Sequence, residues 1–240
     1  GATSAAARVV PLTSPARRPA FMATLASKQK SPDAATLLDA AGDAARSESA
    51  LIAERVAALK AAGNLPAARE LLASRKELVA PPPVSKDWYA LLLSNAKAAA
   101  KAGQYDVAYR IASKVQDGLA PELRMIDQDL STRNSYTDLL WLAGNSAMNQ
   151  LGRPSDAVGM FRLYAENAKT PQTKSKGYYW AAKAASRAGD SAAASRLYNS
   201  AGQYFENFYG QLALEALGRP LPQVPQPAQL PQLSNDESPS

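Results

Sequence analysis

The 240-residue chain contains no cysteine and no histidine. Without thiols it has neither disulfides nor a sulfur nucleophile. Without imidazole it has no His-based zinc site and no imidazole acid–base pair. Any proton transfer falls to Asp, Glu, Lys or Tyr, and no catalytic, cofactor-binding or metal-binding residue stands out. Absence of cysteine suits cytoplasm and periplasm alike. No stretch reaches the roughly 18 apolar residues of a membrane span, so none is expected. Phenylalanine is scarce, with 4 residues, although hydrophobic residues make up 46% of the chain. Alanine fills that fraction. It is the best helix former and a poor strand former, so composition predicts an all-α fold.

Charge is unevenly spread over a formal total of +6. No acid precedes Asp33, while Arg8, Arg17, Arg18, Lys28 and Lys30 lie in the first thirty residues. Residues 203–240 carry Arg219 against Glu206, Glu215, Asp236 and Glu237, which leaves the middle mildly basic. No Lys/Arg run or basic helix face marks a nucleic-acid binder, so no nucleic-acid partner is expected. A mild positive field also suits an anionic polymer such as a bacterial cell wall, or simply solubility. The opening "GATSAAARVV" reads either as the tail of a cleaved signal sequence or, with the acid-free Ala/Arg/Ser-rich residues that follow, as a transit peptide.

Three regions follow from punctuation. Residues 1–31 are broken by Pro11, Pro15 and Pro19 and sustain no period, which predicts a disordered segment. Residues 219–240 hold six prolines and a polar end, which reads as an extended linker towards a further domain. Between them, residues 32–218 carry a recurring signal. Gly63, Gly103, Gly152 and Gly189 are each followed five residues later by Ala68, Ala108, Ala157 and Ala194. Eight residues after each glycine stand Leu71, Ile111, Met160 and Leu197, and four before it Leu59, Ala99, Met148 and Ala185. This is the pattern of a helical hairpin. Glycine ends the first helix in the left-handed conformation, and the alanine one turn into the second helix marks the closest crossing. Asn64, Ser155 and Asp190 are candidate caps, with Pro66 in an opening turn. Ser85 is a candidate cap for the helix "KDWYALLLSNAKAAAKAG". Ser135–Asp138 reads as a capping box before "LLWLAGNSAMNQLG", and Thr170–Pro171 as the start of the helix holding "YYWAAKAASRAGD". The glycine spacings are 40, 49 and 37 residues. Such periods predict an α-solenoid of stacked antiparallel helix pairs. The longest spacing is explained by an insertion at 117–134, with a short extra helix expected at 121–130.

The last repeat, with Tyr178, Gly189, Ala194, Tyr198 and Ala201, resembles the tetratricopeptide pattern, and Trp141 stands at the position equivalent to Tyr178. More specifically, "KTPQTKSKGYYWAAKAASRAGD" (169–190) followed by "FYGQLALEALGRPLP" (208–222) resembles the N-terminal, U-type superhelical domain of soluble lytic murein transglycosylases. "YTDLLWLAGNSAMNQLGRPSDAVGMFRLYA" is similar to it too. The resemblance covers about residues 85–222 and extends weakly back to about 48.

The resemblance implies a periplasmic protein acting on peptidoglycan glycan strands, with cell-wall proteins as further partners and no cofactor. In that family one glutamic acid, in a separate lysozyme-like domain, cleaves between N-acetylmuramic acid and N-acetylglucosamine and leaves 1,6-anhydro ends. The family's Glu-Ser motif has a superficial match in "RSESALIAERV" (46–56). No Gly-Leu-Met-Gln motif follows it, and it lies ahead of the repeats rather than after them. Glu48 therefore reads as a first-turn acid favoured by the helix dipole. The chain reads as a non-catalytic scaffold whose catalytic domain is not in it. Tyr178, Tyr179 and Trp180 are consecutive, so some pack between repeats and others line a surface. Gly210 is expected in mid-helix with another helix against it. The alternative is a tetratricopeptide-like adaptor for a protein partner.

Overall fold

A computed structural model of the chain describes residues 18–42 and 44–222, the side chains of Ala44 and Ala45 excepted. Among the described residues every regular element is helical. The order is α1 (Arg18–Lys28), α2 (Ala34–Ala40), the single turn α3 (Ala44–Ser47), α4 (Ser49–Ala61) and α5 (Leu65–Ala73). Next come α6 (Ser85–Lys101), α7 (Tyr105–Ala112), α8 (Leu130–Asn145) and α9 (Pro154–Glu166). The array closes with α10 (Pro171–Arg187), α11 (Ser191–Gly202) and α12 (Phe208–Ala216).

The chain reverses where the glycines predict. Gly63, Gly103, Gly152 and Gly189 have φ of 76°, 74°, 63° and 82°, the left-handed region that costs glycine least. Beyond three of them the next amide turns back to the helix. Asn64 donates to the Leu59 carbonyl at 2.8 Å, Gln104 to Ala99 at 2.9 Å and Asp190 to Ala185 at 3.0 Å. This satisfies carbonyls the helix end leaves open. The third reversal differs because α8 ends in a π-turn, Ser146–Gln150. There Arg153 reaches one residue further, to the Ala147 carbonyl at 2.8 Å. Ala68, Ala108 and Ala157 are fully buried and Ala194 nearly so, the small residues that each crossing requires. The pairs α4/α5, α6/α7, α8/α9 and α10/α11 pack within themselves, successive pairs pack on one another, and α12 lies against α10 and α11.

Several caps are as expected. Asn64 accepts from the Ala67 amide at 3.2 Å, Asp190 from Ala193 at 2.8 Å and Thr170 from Thr173 at 3.2 Å. Others are corrected. Helix α8 starts before the Ser135–Asp138 box, because Asp129 accepts from the Ser131 and Thr132 amides and nucleates the helix upstream. Val84, not Ser85, stands before α6, and Arg153, not Ser155, before α9, where Pro154 has the backbone angle that suits a first helical position. The insertion holds no helix at 121–130 but two 3₁₀ turns, Val115–Gly118 and Met125–Asp127. Within residues 1–31, Arg18–Lys28 is helical and buries Ala20, Ala23 and Ala26, so lack of a long apolar period does not prevent packing of a short alanine face. Residues 1–17 and 223–240, most of the two expected irregular ends, lie outside the described residues.

The main core joins α4 to α8 through Ile52, Val56, Leu72, Tyr89, Leu92, Ile111 and Leu139. It is tied by a fully buried guanidinium. Arg75 Nε donates to Asp117 Oδ2 at 2.7 Å, Nη1 to the Leu72 and Ile111 carbonyls, and Nη2 to the Lys114 carbonyl. Trp88 Nε1 donates to the other oxygen of Asp117 at 3.2 Å. One side chain thus satisfies the open carbonyls at the ends of α5 and α7 and pins the first insertion turn. Burial of this charge is tolerated because its donors are paired.

Candidate functional site: an aromatic and cationic helix face

The first helices of the later pairs share an outward side. On α8 it carries Asp138, Trp141, Asn145 and Asn149, at the three-, four- and four-residue steps that put side chains above one another on a helix. On α10 it carries Lys176, Tyr179, Trp180, Lys183 and Arg187 with the same logic.

The rings form a continuous band. It begins at buried Phe161, whose centroid lies 5.2 Å from that of Trp141. Trp141 meets Tyr164 at 5.3 Å and Trp180 at 6.1 Å, the latter edge-on. Trp180 meets Tyr179 at 6.1 Å, and Tyr179 meets Tyr209 of α12 at 5.4 Å and Tyr198 of α11 at 5.8 Å. Tyr209 touches Phe208 at 5.2 Å, and Phe208 is 66% exposed. These separations are those of favourable ring pairs. Gly144 is what lets Phe161 reach Trp141, since a Cβ there would stand 2.6 Å from the Phe161 ring. The buried Trp180 Nε1 has no hydrogen-bond partner among the described residues.

Cations flank the band. Lys176 Nζ stands 3.7 Å from the Trp141 centroid, a close cation–π contact. Burial lowers its pKa, with Asp138 opposing. Lys183 Nζ lies 5.9 Å from the Tyr179 ring. Arg187 Nη1 donates to Asn149 Oδ1 at 3.1 Å, Asn149 Nδ2 to Asn145 Oδ1 at 3.2 Å, and Asn145 Nδ2 to the Trp141 carbonyl at 2.9 Å. Asn149 sits inside the π-turn, a local irregularity often found at functional sites. Asp138 is engaged by Lys97 of α6 at 2.8 Å. Burial raises the pKa of Tyr179, with Tyr198, Glu215 and Tyr209 adding to the effect.

Such a face has the means to bind: ring faces for apolar sugar or side-chain surfaces, amides for hydroxyl or acetamido groups, ammonium and guanidinium for anions. Among the described residues no group of three or more metal-type ligands occurs, and no helix is long and apolar enough to cross a membrane. The aromatic trio splits as its sequence requires. Tyr179 and Trp180 enter the band; Tyr178 lies apart, its pKa raised by burial and by Glu166. Glu48 occupies the position before α4 with extended backbone. Sequence reasoning missed Asn145, Asn149, Lys176, Lys183 and Arg187, although their helical spacing was there to be read. It also misplaced Gly210. That residue is third in α12, and a Cβ there would run into the Tyr204 carbonyl and stand 2.9 Å from the Phe205 nitrogen. Its neighbour is the incoming turn, not another helix. Comparison with family models, with curated proteins and with solved structures finds no match to this chain.

Proposed function

We propose that the chain is the non-catalytic superhelical scaffold of a periplasmic peptidoglycan lytic transglycosylase, with the aromatic band as its glycan-contacting wall. The observation that carries this reading is a meeting in space. The two stretches whose sequence resembles that family, 169–190 and 208–222, touch through Tyr179 and Tyr209 at 5.4 Å. They contribute the exposed end of the band. A row of half-buried rings bordered by amides and cations suits N-acetylated sugars better than a smooth apolar groove would. Acid–base cleavage belongs to a glutamic acid in another domain of such an enzyme.

The test is co-sedimentation of the purified chain with peptidoglycan sacculi, followed by analysis of the supernatant. The chain is expected to bind without releasing anhydro-muropeptides, and Tyr179→Ala with Phe208→Ala is expected to weaken binding about five-fold or more, roughly 1 kcal/mol. Absence of binding, or release of anhydro-muropeptides by the chain alone, overturns the proposal.

A tetratricopeptide-like adaptor is the second reading. It is favoured by an apolar groove of about 350 Å³ between α4 and α6, lined by Ala53, Pro83, Val84, Trp88 and Leu91. Failure to bind sacculi together with loss of a peptide ligand on Val84→Asp would favour it.

A further inference from the structure

We infer that Lys183 and Arg187, aided by Lys176, take carboxylates of the ligand that lies along the band; this rests on the glycan-scaffold reading and identifies those carboxylates as the ones on the peptide stems of peptidoglycan. Several cations elsewhere on the packed pairs have acidic partners. Arg110 holds Glu70 and Asp106, Arg153 holds Asp106 and Asp156, Arg162 holds Glu166, Lys97 holds Asp138 and Arg75 holds Asp117. On the outward side of α10, Lys176, Lys183 and Arg187 make no ion pair with the described residues; they contact rings and an amide instead.

Asp138 acts on Lys176, and among the described residues no ion pair joins Lys183 or Arg187 to an acid. Asp138 is held by Lys97, and Glu215 acts on Tyr179 from α12. Asn145, Asn149 and the rings carry no charge. Three cations in line therefore border the stacking surfaces, Arg187 exposed and Lys176 and Lys183 half-buried. With a rise of 1.5 Å per residue, Lys183 lies about 10 Å and Arg187 about 17 Å along the helix from Lys176. An uncharged sugar strand gives such a row nothing to pair with. Stems that project from the strand and end in free carboxylates do, and an arginine presents a forked pair of donors that matches a carboxylate.

The experiment compares sacculi as isolated with sacculi whose carboxyl groups have been capped as amides with a carbodiimide and ammonia, for the wild-type chain and for Lys183→Gln/Arg187→Gln. The wild-type chain is expected to prefer intact sacculi, with a preference that weakens on raising salt from 0.05 to 0.5 M, because exposed charges are screened. The double variant, checked for unchanged helicity and Tm, is expected to lose about ten-fold of that preference. The swapped variant Lys183→Arg/Arg187→Lys is expected to keep most of it. Equal wild-type affinity for intact and carboxyl-capped material, or an undiminished preference in the double variant, overturns the inference and leaves the scaffold reading standing. Binding to neither material overturns both.

Discussion

A methyl group separates glycine from alanine, and at position 210 its direction decides the sign of the change. In an exposed helix interior Gly→Ala gains about 1 kcal/mol. Here the added carbon meets the Tyr204 carbonyl and the Phe205 amide nitrogen, backbone that cannot swing aside as a side chain would. Gly210→Ala is expected to destabilise by about 1–3 kcal/mol, the usual range of overpacking. For a chain of this size that lowers Tm by roughly 2–4 °C per kcal/mol. A thermal melt followed by circular dichroism decides it, and a variant that melts at or above the wild-type temperature removes the close approach. The buried alanines at the crossings meet a related constraint, since a small side chain lets the paired helices approach closely.

At the scale of the element, charge joins helices that the apolar core has already brought together. Arg110 of α7 binds Glu70 of α5 through two bonds of 2.9 Å and Asp106 one turn back at 2.8 Å. The hydrogen bond from Arg110 is the largest cause of the lowered pKa of both carboxyls. A carboxyl whose pKa is lower in the folded chain than in the unfolded one contributes stability above the unfolded value. That contribution is lost as pH falls through the folded value. Both carboxylates are exposed and Arg110 is partly so, which keeps the contribution modest. The Tm difference between wild type and Arg110→Gln is expected to be largest above about pH 5 and to close towards about pH 2. A gap that stays constant across that range would show that the bonds act by packing alone. Element boundaries also show what sequence can and cannot convey. A glycine turn followed by a small residue is a local signal, and all four hairpins were legible from it. The start of α8 was not. Ser135–Asp138 has the form of a cap, yet Asp138 serves Lys97 on another helix, and Asp129 caps instead. The aromatic band is less legible still, because it joins Trp141 to Trp180 and Tyr179 to Tyr209 across different helices.

Over the whole molecule the apolar contacts fall into unequal groups. The cluster beneath α1, α2 and the start of α4 consists of Ala20, Ala23, Leu38, Ala41 and Leu51. The cluster spanning α4 to α8 includes aromatic and branched side chains and the Arg75 tie. Stacked helix pairs gain stability largely from nearest neighbours, so a thin end opens without dragging the rest. Amides of α1 and α2 are expected to exchange with deuterium at least ten times faster than those of α6 and α8. Uniform protection along the chain would argue for one cooperative unit. The solenoid class itself was readable in the sequence from composition and spacing, because alanine richness and the glycine period both act over long stretches. The aromatic band needed coordinates, since it depends on which residues of separate pairs come to share a side.

The four turn glycines have a last consequence. A Cβ built on any of them meets nothing within 4 Å, so these corners reject ordinary residues on torsional grounds rather than for want of room. Asparagine, which tolerates the left-handed region better than other side-chain-bearing residues, is the natural stand-in there. Each bend is therefore a seam at which ancestral duplication or laboratory splicing can add a module while the joints on either side keep their fit.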